Sequence, residues 1–213
     1  MKQNLWILLV GIVLIHSCTH IKAKKELVKR DTSISTSTSF NTLFFDSTHL
    51  DTFIDQNIKY GPFIEQFKDF YSDRNYQYAW FDSSGLTEQA YNFLNLQEGY
   101  VNDFNDSSLV NRELQDLVEI ITNKKTKLLT SDPKILQTEL LLTGQFFKYA
   151  EKVYKGSDLN AKELGWFIPR KKINLHILLD STIKSKGKGA EQFTPLNVQY
   201  KKLEDQLILY MGI

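Results

Sequence analysis

The feature that most constrains this fold is one long stretch of helical period that is apolar on most of its sides. Asp132-Pro133 sets up its start, with an acceptor side chain at the cap and a proline at the first helical position, where a missing N–H costs nothing. Leu136, Leu140, Thr143, Phe147, Ala150 and Tyr154 then follow at spacings of four, three, four, three and four, which puts them on one face. Leu142, Phe146, Tyr149 and Val153 flank that face, so the helix is apolar over much of its circumference and belongs at the centre of a packed domain. Gly156 closes the pattern.

Other segments repeat the helical signal. Thr194-Pro195 is a second start, followed by Leu196, Tyr200, Leu203, Leu207 and Tyr210, with Lys201, Lys202, Glu204 and Asp205 on the opposite face. Val110, Leu114, Leu117 and Ile121 mark another helix, Phe63, Phe67 and Phe70 a further one, and Ala90, Phe93 and Leu94 a short one. Strand signals are few: 41–45 and 166–168 read as extended, but neither alternates long enough for a large sheet. With 14 Phe and 10 Tyr there is ample material for a core. The expected fold class is therefore mainly α, a single helical domain over residues 40–213, a length usual for one domain.

The start of the chain has a different character. Lys2 is followed by eleven apolar residues, Leu5 to Ile15, and then by His16, Ser17 and Cys18. This is the layout of a secretory signal peptide, and the apolar run falls short of the roughly 20 residues that span a bilayer as a helix. Ile15-His16-Ser17-Cys18 resembles the lipobox of bacterial lipoproteins, with Ile where Leu is commoner and His where small residues are commoner. The resemblance implies cleavage after residue 17 and acylation of Cys18, the lipidation site. Several acyl chains are needed because each buried methylene contributes about 0.8 kcal/mol and one chain anchors only marginally. Cys18 is also the sole cysteine, which leaves no partner for an internal disulfide and no thiolate metal cluster. Residues 18–39 hold five Lys or Arg, two acidic residues and the run Thr32 to Ser39 of Ser, Thr and one Ile, and are expected to be a solvated tether. The residues after Cys18, Thr19-His20-Ile21-Lys22, are not acidic, which suits a cell-envelope protein facing the periplasm.

Loss of residues 1–17 removes one of the 26 basic side chains, Lys2, and leaves 25 against 25 acidic ones. A neutral domain has no field to steer nucleic acid, so no nucleic-acid partner is expected.

Three ordered segments carry a further resemblance. Phe70 to Phe81 includes Arg74-Asn75-Tyr76-Gln77-Tyr78-Ala79-Trp80, and a Gly turn with Gly85 follows. Glu139-Leu140-Leu141-Leu142-Thr143 is followed by Phe147, Tyr149, Ala150 and Lys155-Gly156. The third segment is Trp166-Phe167-Ile168-Pro169-Arg170, then Leu178-Leu179, Thr194-Pro195, Tyr200, Leu203 and Leu207. Together they resemble the scaffold region of large murein L,D-transpeptidases, in which an "RNYQPAW" stretch and a "DLLLT" helix occur; Tyr78 stands here in place of the Pro. The resemblance implies an association with peptidoglycan cross-linking. Complete relatives add a peptidoglycan-binding module and a catalytic domain whose Cys thiolate attacks a peptide carbonyl. No Cys follows Cys18 and no Ser-x-Gly-Cys is present, so no acyl-enzyme is expected from this chain and no catalytic residue is assigned.

Read on their own chemistry, the same residues look structural. Arg74 among Tyr71, Tyr76 and Trp80 can stack and donate hydrogen bonds at one corner, and Tyr76, Tyr78 and Trp80 suit a core better than a glycan platform. Asp51 with Asp55, and Glu65 with Asp69, are pairs on solvated faces. His176 has no second His or Cys nearby, so no metal and no cofactor are expected. Lys184 to Gly189 reads as a basic connecting loop. Three functional expectations follow: a non-catalytic envelope lipoprotein whose scaffold docks on the wall or on a separate transpeptidase chain; the front part of a split or truncated transpeptidase; or an unrelated helical lipoprotein with a binding role.

Overall fold

The computed structural model describes residues 28–31, 41–123, 132–155, 173–185 and 198–211. Cys18, the lipobox and the Thr32 to Ser39 run lie outside the described residues, as do 166–170 and Thr194-Pro195. Seven α-helices are present among the described residues: α1 (Thr48–Gln56), α2 (Ile64–Asp73), α3 (Glu88–Phe104), α4 (Arg112–Asn123), α5 (Pro133–Ala150), α6 (Leu175–Lys184) and α7 (Val198–Met211). The described sheet is a two-residue hairpin, β1 (Phe81–Asp82) against β2 (Gly85–Leu86), antiparallel with Phe81 opposite Leu86. The fold is mainly α, as the periodicities imply.

Helix α5 is the axis of the domain. Asp132 caps it, its Oδ1 accepting from Lys134 N at 2.9 Å, and Pro133 takes the first turn. From Thr138 to Ala150 every residue except Lys148 is buried. Helices α1 to α4 and α6 all pack against it, directly or through their neighbours. Its π turn, Glu151–Lys155, leads out of the core.

The aromatic residues of the neighbours meet at this axis. Phe67 of α2 lies edge-on to Phe147 at 5.3 Å, Phe93 of α3 sits 5.3 Å from Phe146, and Trp80 lies 5.6 Å from Phe93. Such offset and edge contacts add about 0.5–1.5 kcal/mol each beyond burial. Tyr60, in a 3-10 turn (Ile58–Phe63) before α2, lies flat on Gly144: a Cβ there would meet the Tyr60 ring at 2.8 Å, so glycine is what admits the ring.

Two expectations change in extent. The short helix around Ala90 runs for 17 residues, because Thr87 caps its start and Asn105, left-handed at φ 49°, closes it. The period of α7 is real, but Leu203, Leu207 and Tyr210 are exposed among the described residues. The extended stretch 41–45 contributes a single antiparallel bridge, Phe44 to Gln77, with Phe45 N donating to Tyr76 O at 3.1 Å and Tyr78 N to Leu43 O at 3.0 Å.

Candidate functional site

The site is built around the loop that follows α2. After Asp73 the helix unwinds at Arg74, and Asn75 (φ 52°) and Tyr76 (φ 57°) are both left-handed. Two consecutive non-glycine residues in that region cost on the order of 1–3 kcal/mol each, so the surroundings must hold them. They do so from several sides. Tyr76 N donates to Tyr71 O at 2.7 Å, and the Tyr76 ring is buried edge-on to Phe45. The Asn75 side chain clamps Asp31, accepting from its N at 2.7 Å and donating to its O at 2.9 Å. Arg30 beside it stacks on Phe44. Arg74 donates through Nε to Gln77 O at 3.0 Å and through Nη2 to Tyr78 O at 3.3 Å, with its guanidinium over the Phe70 ring at 4.8 Å. It stacks and donates at once, though its ring partner is Phe70 and not the Tyr71, Tyr76 or Trp80 named from the sequence.

The inner side of the loop is fastened to α5. Glu139, fully buried, accepts from Ala79 N at 2.7 Å on one oxygen and from Trp80 N at 2.9 Å on the other. Tyr71 Oη donates to the first oxygen at 2.9 Å and lies 2.7 Å from Thr143 Oγ1, which accepts from Trp80 Nε1 at 2.9 Å. The hydroxyls therefore run in one direction, from Trp80 through Thr143 and Tyr71 to Glu139. Glu139 and Thr143 are four residues apart, one turn of one helix, which is why both reach the same loop. Burial pushes the Glu139 carboxyl up to about 7, against the pull of its two backbone donors, the Arg74 charge and the Tyr71 hydroxyl. Burial, and then the Glu139 charge, push the Tyr71 phenol well above its ordinary value. Three donors converge on the carboxylate and oppose, without cancelling, the upward push of burial.

Two of the segments singled out in the sequence are thus one unit: Arg74 to Trp80 is gripped by Glu139 and Thr143. The glycan-platform reading does not hold, since Tyr76, Tyr78 and Trp80 are all buried. Sequence reasoning placed Thr143 on an apolar face and both Glu139 and Thr143 in a segment of family resemblance, but gave neither side chain a chemical role. The available signal was a carboxylate placed among leucines, which cannot be buried without donors.

The outer side of the loop is different. Between it, α2, the hairpin and α6 lies a cavity of about 440 Å³. Ile177 and Ile183 give it apolar surface, with the buried Phe70, Tyr78 and Phe81 packed behind the rest of its lining, and Arg74, Asp73, Asp180 and Lys184 bring charge to it. Asp180 pairs with Lys184 at 2.6 Å. Asp82 holds the hairpin turn by accepting from Ser84 N at 2.7 Å and Gly85 N at 3.2 Å, and the hydrogen bonds to Ser84 lower its pKa most. His176 sits between two acids, Nδ1 3.8 Å from Asp69 and Nε2 3.9 Å from Asp73. Asp69, expected on a solvated face, thus lies beside His176, and Asp55 stays exposed on α1. Among the described residues no group of three or more His, Cys, Asp or Glu could hold a metal, and no helix is long and apolar enough to cross a membrane.

A family model described as Scaffold domain matches residues 65–207. No curated protein and no solved structure matches the chain. The match covers more than half of the 213 residues and takes in α2 from its second residue, the loop, Glu139, Thr143 and α6; the chain belongs to the Scaffold domain family.

Proposed function

We propose that this protein is a non-catalytic, lipid-anchored component of the cell envelope, held by acyl chains on Cys18 and facing the periplasm, whose scaffold domain takes part in peptidoglycan cross-linking or remodelling through a partner. Family membership supports the scaffold role, and the likeness of its segments to murein L,D-transpeptidases supports the setting. The observation that carries the reading is the clasp between Glu139 and the Arg74 to Trp80 loop: two segments that resemble that family meet, and the loop so held lines a cavity on its other side. These 213 residues offer no thiolate besides Cys18, so the nucleophile for any cross-linking step would come from another chain or segment.

The test has two arms. Metabolic labelling with a fatty acid should mark the wild-type protein and leave Cys18→Ala unlabelled and larger by the uncleaved leader. Co-sedimentation with purified sacculi, and cross-linking in cells, should recover the wall or a transpeptidase-like protein. A labelled Cys18→Ala variant would remove the anchor, and recovery of neither wall nor transpeptidase would remove the setting.

A further inference from the structure

We propose that the cavity between α2, the Arg74 to Trp80 loop and α6 binds a small carboxylate carried on an apolar body, such as the free C-terminal end of a short peptide, with the carboxylate received by Arg74. The guanidinium is held in place before any ligand arrives: two of its donors are used on the carbonyls of Gln77 and Tyr78, and its face rests on Phe70. A guanidinium has five donors, so others remain available. No described carboxylate forms an ion pair with it, although Glu139 and Asp180 are near enough to be felt. The acids that share the cavity are engaged elsewhere: Asp82 by the Ser84 and Gly85 amides, Asp180 by Lys184, and Asp73 toward His176. What is left is a fixed, half-buried cation facing a cleft.

An arginine in that position favours a planar oxyanion that takes two parallel N–H bonds. The cleft beside it is lined on the α6 side by Ile177 and Ile183, whose partly exposed side chains suit an apolar body. A volume of about 440 Å³ lies within the range of small-molecule sites and exceeds what a bare ion would fill. Burial lowers the Arg74 pKa against the opposing pull of Glu139, Tyr71 and Asp180, and a bound carboxylate would add to that pull. That wall peptides carry such ends links the ligand to the function proposed above and rests on that reading; the chemistry of the cavity does not.

The experiment titrates the full chain with N-acetyl-Ala-Ala as the free acid, with the same dipeptide as its C-terminal amide, and with inorganic phosphate, following the Arg74 Nε–H resonance. The free acid should shift that resonance saturably and bind at least about tenfold more tightly than the amide, the loss of one charge-assisted pair. Ile177→Trp, at a position already half exposed, should fill the cleft, keep the melting temperature of the parent and abolish the shift. Arg74→Lys, if it folds, should weaken the acid but not the amide. Equal binding of acid and amide, phosphate binding as tightly as the dipeptide acid, no response from the acid, or an unchanged titration in Ile177→Trp would each overturn the assignment. Failure of the lipidation or sacculus experiments would leave these outcomes untouched.

Discussion

The loop from Arg74 to Trp80 has two sides that solve opposite problems. Toward α5 it presents two backbone N–H groups, an indole and, through Tyr71, a phenol, and each finds a partner on Glu139 or Thr143 with no water needed. Toward α6 it presents an arginine that lines a cavity and uses two of its donors on the loop's own carbonyls. The difference teaches how a strained loop can be a ligand-facing surface: the inner side is over-determined so that the outer side need not collapse onto itself.

The sharpest way to break the comparison is to weaken the inner side. Glu139→Gln keeps the shape but sets an amide N–H against one of the backbone N–H donors, and should cost about 3 kcal/mol in urea unfolding, with Arg74 losing its place as a consequence. A loss below 1 kcal/mol would mean that the clasp is not what holds the loop.

The same carboxylate gives a pH signature of comparable size. An unfolded Glu titrates near 4.5 and this one, buried, near 7. Between those values the folded chain keeps a proton that the unfolded chain has lost, so stability falls as pH rises through that window and levels off above it, by at most about 3 kcal/mol. Asp46, Asp82 and Asp106 are lowered by their hydrogen bonds, so their contributions are lost only below about pH 4 and do not mask the slope. Chemical denaturation at several pH values should show the fall in the parent and not in Glu139→Gln.

Thr143→Val keeps the volume and removes the hydroxyl that joins Trp80 Nε1 to Tyr71, for an expected loss of about 2 kcal/mol, smaller because Glu139 still holds both amides. On the outer side, Asp73→Asn should change stability by less than about 0.5 kcal/mol, since Asp73 is 73% exposed and its contact with His176 is long. A large effect there would show that the outer side is also structural.

Much of the fold was legible because it rests on period. Asp132-Pro133 and the apolar face that follows gave α5, and Phe67 and Phe70 the buried face of α2, while Phe63, expected on the same helix, ends the 3-10 turn before it. The long reach of α3 was hidden, since Asn95, Gln97 and Glu98 break its apolar pattern; Gln97 is nevertheless buried, donating to Leu109 O at 2.8 Å. The apolar period of α7 fixed which residues share a face but not what covers it, and Leu203 and Tyr210 are exposed. Of the site, Arg74 as a stacked donor was readable from its aromatic neighbours. Glu139 was not, because its partners are backbone amides sixty residues away, and amides carry no sequence signal. The cavity depends on where α6 lies, which no local pattern encodes.

Amide hydrogen exchange at Ala79 and Trp80 tests the clasp most directly. Both N–H groups sit outside any helix and donate to a buried carboxylate, so they should exchange only as slowly as global unfolding allows, and far faster in Glu139→Gln. Exchange of these two amides in the parent at the rate of an open surface loop would contradict the role assigned to Glu139.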